Sequence, residues 1–208
     1  MKPKYIIGID EVGRGPLAGP VTVAAIAIRQ NTKYKIQNTK LRDSKKLSEK
    51  QREIWFKFIK KNFKYAVASV SPRTIDKINI SKAANLAATR ALKRLLMKHR
   101  LPRKKIKIFL DGGLYINKFQ ITKSKCQTNY KIQTIIKGDE KVPAIALASI
   151  VAKVTRDKRM KKLHKKYPKY GFNKHKGYGT KKHIKAIKKH DLTDIHRKTF
   201  SKKFRMIK

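Results

Sequence analysis

Three stretches of this chain run from apolar residues into a carboxylate beside glycine. They are Tyr5-Ile6-Ile7-Gly8-Ile9-Asp10-Glu11, Ile106-Lys107-Ile108-Phe109-Leu110-Asp111-Gly112-Gly113 and Ile132-Gln133-Thr134-Ile135-Ile136-Lys137-Gly138-Asp139-Glu140. Only 12 acids stand against 56 Lys and Arg, so their placement is informative. Strands disfavour Asp and Glu, and an acid at the end of an apolar run either caps a turn or serves chemistry at a sheet edge. Carboxylates brought together from several strand ends repel one another unless a divalent cation sits between them. Such hard oxygen ligands suit Mg²⁺ or Mn²⁺. At the third stretch Asp139 and Glu140 compete for one role, since Glu140 can instead begin a following helix.

A second group of residues is suited to phosphate. Gly13-Arg14-Gly15 lets main chain approach a ligand closely while Arg14 offers a charged fork, although a tight turn would need the same glycines. Arg42, Ser44, Lys45 and Lys46 precede a helix N-terminus, where amide donors also attract anions. Lys153 follows an apolar helical run and either reaches the reacting region or snorkels to solvent. Tyr178 lies between Gly177 and Gly179 in a basic setting, either presenting its ring to a ligand or packing under a loop. The formal net charge of +44 makes a polyanion the expected partner, with part of the lysine excess spent as solvated helix surface.

These residues need a scaffold. Residues 4–10 and 20–28 read as strands joined by a shaped loop, Glu11 to Pro20, in which three glycines and two prolines exclude regular helix or central strand. Adjacent strand residues point to opposite faces, so Asp10 and Glu11 can share a site only where the chain is distorted. Glu11 is therefore expected to belong already to the glycine loop. Ser48-Glu49-Lys50-Gln51 is a capping-box pattern ahead of a helix with Ile54, Trp55, Phe58 and Ile59 at helical spacing. Lys64–Val70 reads as a strand, Ser71-Pro72 opens a short helix, and Ser81 is expected to cap a longer one carrying Ala84, Ala88, Ala91, Leu92, Leu95 and Leu96 on one side. Strands follow at 106–110 and 130–136. From Pro143 the run Ala144 to Ala152 is apolar all round, which marks a buried helix. A basic tail is helical at 181–189.

A length of 208 residues fits one principal domain. No run of about 18 apolar residues is present, and the start lacks a signal-peptide pattern, so no membrane association and a cytoplasmic location are expected. Cys126 has no partner for a disulfide or thiolate site. The six histidines show no metal-ligand spacing and are expected to be surface or tail residues.

Gly8-Ile9-Asp10-Glu11-Val12-Gly13-Arg14-Gly15-Pro16-Leu17-Ala18-Gly19-Pro20-Val21 closely resembles the signature opening of the ribonuclease HII family. Further segments agree in order: Asp43 to Ser48, Leu110-Asp111-Gly112, Lys137-Gly138-Asp139, Ala148 to Asp157, His175 to Thr180 and His196 to Phe200. The resemblance implies an α/β, ribonuclease H-like fold: a central mixed sheet of about five strands flanked by helices. Residues 1–208 would form a single catalytic domain, with about 158–208 as its basic C-terminal helical extension. It implies a monomeric endonuclease that cuts the RNA strand of RNA–DNA hybrids and incises 5′ of single ribonucleotides in duplex DNA. By likeness to the family's acidic quartet, Asp10, Glu11, Asp111 and Asp139 would hold two divalent ions, and the products would carry 5′-phosphate and 3′-hydroxyl ends. The same likeness favours Asp139 over Glu140 and has Gly13, Arg14 and Gly15 sense the ribose 2′-hydroxyl while Tyr178 stacks on the following sugar. Ala146 and Leu147 depart from the family's usual Ser and Ala, which bears on helix packing. The alternative is a non-catalytic basic RNA-binding protein whose acids only form turns.

Overall fold

The computed structural model describes residues 4–30, 47–102, 105–116 and 130–204. Arg42, Ser44, Lys45, Lys46 and Cys126 lie outside the described residues.

Strands β1 (Tyr5–Val12), β2 (Val21–Arg29), β3 (Lys64–Val70), β4 (Ile106–Asp111) and β5 (Lys131–Ile135) form one sheet in the order β3-β2-β1-β4-β5. β1 pairs antiparallel with β2 and β2 with β3, whereas β1–β4 and β4–β5 are parallel, so the sheet is mixed. The sequence dictates burial on both faces. Val21, Val23, Ala25 and Ala27 of β2 join one core cluster, and the alternate residues Ala24 and Ile26 join another. A strand covered on both sides reads as continuous apolar sequence.

Helices α1 (Glu49–Asn62), α2 (Pro72–Ile78) and α3 (Ile80–Lys98) follow the first strands. The capping box ahead of α1 is present: Gln51 N–H donates to Ser48 Oγ at 3.3 Å and Ser48 N–H to Gln51 Oε1 at 2.8 Å. Its apolar stripe is narrower than the spacing suggested, because Ile54 is 68% exposed while Ile59 is buried. α3 buries Ala84, Ala88, Ala91, Leu92 and Leu95 against one face of the sheet. Its N-cap is Asn79, whose Oδ1 accepts the Lys82 amide proton, and not Ser81; Asn tolerates the positive φ of 64° required there.

On the other face lies α5 (Pro143–Lys166), entered from the short α4 (Gly138–Lys141). α5 is buried almost all round through Val151, as its unbroken apolar run requires. Leu147 is fully buried among Ala24, Ile26, Ile59 and Phe63, so the departure at this position is accommodated by the core. α5 continues without a break past residue 158. After it come α6 (Phe172–His175), α7 (Lys181–His190) and α8 (Lys198–Ser201). These segments form a third cluster, in which Met160, Tyr170, Phe172 and Ile187 pack on Leu17 and Ala18 of the glycine loop. No helix among the described residues is long and apolar enough to cross a membrane.

Candidate active site

The parity of β1 decides where its acid points. Ile7 and Ile9 face the α3 side, so Gly8 and Asp10 face α5. A Cβ on Gly8 would lie 2.1 Å from the Ala144 carbonyl carbon, so glycine here lets α5 settle against β1 and carries Ser149 and Lys153 over the strand end. Asp111, at the end of β4, lies beside β1 because the parallel register runs Ile9 to Leu110.

Oxygens of Asp10, Glu11 and Asp111 lie within 4.8 Å of one another. Glu11 reaches this group from within the strand, not from the glycine loop: it still pairs with Val23 of β2. Two features allow neighbours to meet. The β1–β4 register stops at Ile9, which frees that edge of β1, and Asp10 turns along the chain so that its Oδ1 accepts the Glu11 amide proton at 2.7 Å.

Asp10 is 4% exposed, and its pKa is raised well above the usual carboxylate range. Burial is the main cause, followed by the charges of Glu11 and Asp111; hydrogen bonds from Ser149 and the Glu11 amide act in the opposite direction. A divalent cation would relieve both the desolvation and the repulsion, and an all-carboxylate donor set fits a hard ion.

Asp139 does not join the three-carboxylate group. It is buried in the first turn of α4, next to Gly138, whose N–H donates to Asp111 Oδ1 at 2.7 Å. A Cβ on Gly138 would come within 3.2 Å of that oxygen and 2.5 Å of Ile145 Cδ1, so glycine permits the close approach of α4 to β4.

A cleft of about 350 Å³ opens over the acids, lined also by Val12, Arg52, Ser149, Ile150, Lys153 and Tyr178. Lys153 donates to Asp157 at 3.0 Å, one turn along α5. Arg14 bridges Glu11 at 3.4 Å and the Gly113 carbonyl at 3.1 Å, tying the glycine loop to the chain after β4. Gly13 and Gly15 differ in kind. Gly13 has φ 91°, and a Cβ there would meet the Arg156 side chain at 2.3 Å, so it is required by the loop itself. A Cβ on Gly15 would meet only Tyr178 Cε1, at 3.9 Å, which leaves that position open for a ligand.

Two residues with no individual role in the sequence reading hold this loop. Arg197, fully buried, donates to the carbonyls of Gly19, Arg14 and Gly13. Arg156, also fully buried, donates to those of Pro20 and Ala18. Burial lowers the pKa of both, that of Arg197 to about 9. Neither could be singled out among 56 cations, except by its place in a matching segment. Arg52 was missed for the same reason. The histidine expectation is corrected: His183 and His196 are 0% and 2% exposed, with their Nε2 atoms 3.1 Å apart. Their signal was the aromatic surroundings, Tyr170 and Phe172, which supply an apolar shell.

The Ribonuclease HII family profile matches residues 7–203. The chain belongs to the ribonuclease HII family. Among its relatives, the ribonuclease HII of Fusobacterium nucleatum is 47% identical over 201 residues, 96% of this chain and 87% of that protein. That of Pelagibacter ubique is 44% identical over 198 residues, covering 95% and 96%. The crystal structure of ribonuclease H2 from Pyrococcus horikoshii superposes with a TM-score of 0.75 at 27% identity over 96% of both chains. The ribonuclease H-like fold expected from the sequence is therefore the one observed, and these matches do not support the alternative of a non-catalytic basic RNA-binding protein.

Proposed function

We propose that this chain is a metal-dependent endonuclease that hydrolyses the RNA strand of RNA–DNA hybrids and incises 5′ of single ribonucleotides in duplex DNA. The observation that carries the reading is the convergence of Asp10, Glu11 and Asp111 within 4.8 Å in a cleft that Arg52 and Lys153 also line. These three would hold Mg²⁺ or Mn²⁺, with Asp139 supplying a fourth carboxylate. Two such ions, when bound, would prepare a water for in-line attack and stabilise the departing 3′-oxygen, giving 5′-phosphate and 3′-hydroxyl ends.

The remaining roles fall to the chain's own side chains. Lys153 and Arg52 would attract the phosphate into the cleft, and Arg14 would hold Glu11 in place. The open space at Gly15 would admit the ribose, whose 2′-hydroxyl can meet main-chain donors and acceptors. Tyr178, 42% exposed at the mouth, would stack on the sugar that follows. Arg42, Ser44, Lys45 and Lys46 would add backbone contacts. Residues 1–208 would act as one catalytic domain, 158–208 being its basic helical extension, and the protein as a cytoplasmic monomer. The test is incubation with a duplex containing one ribonucleotide, with Mg²⁺, Mn²⁺ or chelator, followed by mapping of the cut. Metal-dependent incision 5′ of the ribonucleotide is expected; cutting that survives chelation, or none, would overturn the reading.

A further inference from the structure

Tyr178 owes its place at the cleft mouth to a turn with two successive left-handed residues, Lys176 at φ 51° and Gly177 at φ 86°. The Gly177 carbonyl accepts from Leu17 and Ala18, which docks the turn on the glycine loop. Histidines meet two more of its polar groups. Gly177 N–H donates to His175 Nδ1 at 3.2 Å, and the Tyr178 carbonyl accepts from Thr180 N–H at 2.8 Å and from His183 Nδ1 at 2.9 Å.

The hydrogen-bond chemistry fixes every tautomer. A carbonyl only accepts, so His183 carries its proton on Nδ1 and its Nε2 is an acceptor. His196 Nδ1 accepts from Thr193 N–H at 3.0 Å, so its proton is on Nε2, facing His183 Nε2 at 3.1 Å. His175 Nε2 meets the Tyr170 carbonyl at 2.7 Å and its Nδ1 accepts from Gly177, so it too has a single neutral form. His175 stacks on His183 at 4.5 Å, His183 and His196 are tilted to each other at 5.3 Å, and all three rings pack around Phe172.

We infer that His183 is a positioning residue for substrate selection: its Nδ1–H fixes the Tyr178 carbonyl, and His196 imposes the tautomer that supplies that proton. The carbonyl direction sets the backbone of Tyr178 and so the line along which its ring enters the cleft. This rests on the proposed contact of Tyr178 with substrate. A histidine pair serves here because one neutral ring donates at one end and accepts at the other, which passes the orientation set at Thr193 through the buried core to the turn.

Two near-isosteric variants separate the two bonds. In His183→Asn the side-chain amide can still donate to the Tyr178 carbonyl, whereas in His183→Gln the longer side chain reaches toward His196 and the Tyr178 carbonyl loses this donor. The readout is the ratio of kcat/KM on a single-ribonucleotide duplex to that on a continuous hybrid, with Tm as the folding control. His183→Gln is expected to lower the ratio about fivefold, and His183→Asn to keep it within about twofold of the parent. Equal ratios in both variants, with Tyr178→Ala altering the ratio, would overturn the inference alone. An unchanged ratio in Tyr178→Ala would overturn the Tyr178 contact and the inference with it. Should either His183 variant fail to fold, the imidazole nitrogen–proton spectrum of the parent protein decides. A protonated His183 Nδ1 with a protonated His196 Nε2 supports the relay, and the reverse tautomers overturn it.

Discussion

Asp111 Oδ1 accepts the amide proton of Gly138 at 2.7 Å, which joins the end of β4 to the turn that presents Asp139. One backbone donor thus orients one acid and places the next. Gly138→Ala should leave the fold intact, since the shorter clash, with Ile145 Cδ1, is with the end of a flexible side chain. The added Cβ presses on Asp111 Oδ1, and displacement of about 1 Å near reacting groups costs up to about a hundredfold in rate. A fall in kcat of about tenfold or more with Tm nearly unchanged is expected in a cleavage assay paired with thermal melting.

The two loop glycines should respond differently. Gly13→Ala meets both a positive φ and the Arg156 side chain, so it should destabilise the protein by about 1–3 kcal/mol. Gly15→Ala meets only a van der Waals contact and should keep Tm within about 2 °C while weakening hybrid binding, because its Cβ occupies the space left for the ribose. Melting curves and gel-shift titrations of both variants test this.

Much of the scaffold was legible. Lys64–Val70 is strand to the residue, and the capping box before α1 marks its start, because apolar period and cap chemistry are local signals. The acids were legible because Asp and Glu are rare here and sit where strands end. Glu11 was misplaced because strand parity alone cannot show that β1 loses its β4 neighbour after Ile9. Arg156, Arg197, His183 and His196 were illegible in role because burial of a polar side chain depends on tertiary partners distant in sequence, such as Gly13 to Arg197.

Removing the charge of Asp10 should separate stability from activity. Burial and the charges of Glu11 and Asp111 raise its pKa in the metal-free fold, so ionising it opposes folding. Asp10→Asn should abolish cleavage yet raise Tm in chelator by about 2 °C or more, as read by calorimetry. Added Mg²⁺ or Mn²⁺ should stabilise the parent and not the variant.

Acid should loosen the C-terminal cluster. Burial lowers His183 and His196 to about 4 from an ordinary 6.5, against the hydrogen bonds their rings make with backbone groups and with further lowering by neighbouring histidines. Between these values the unfolded chain binds more protons, so the stability these residues contribute is complete above about pH 6.5 and is lost as pH falls toward 4. His175, Asp191 and Asp194 share their surroundings and modify the steepness. Tm measured from pH 7 to 4 should fall less steeply in His196→Gln than in the parent.

Arg197→Met should be costly, because it leaves the carbonyls of Gly13, Arg14 and Gly19 without their guanidinium donor. A loss of about 2–4 kcal/mol in denaturant unfolding is expected, and Arg197→Lys should recover only part of it.

In the proposed reaction the acids perform the chemistry and the cations perform the binding. Asp111→Asn separates these two roles when gel-shift affinity and cleavage rate are measured on the same single-ribonucleotide duplex. Affinity within about twofold of the parent and cleavage reduced on the order of a thousandfold are expected. Cleavage that persists at the parent rate would exclude the Asp111 carboxylate from the chemistry.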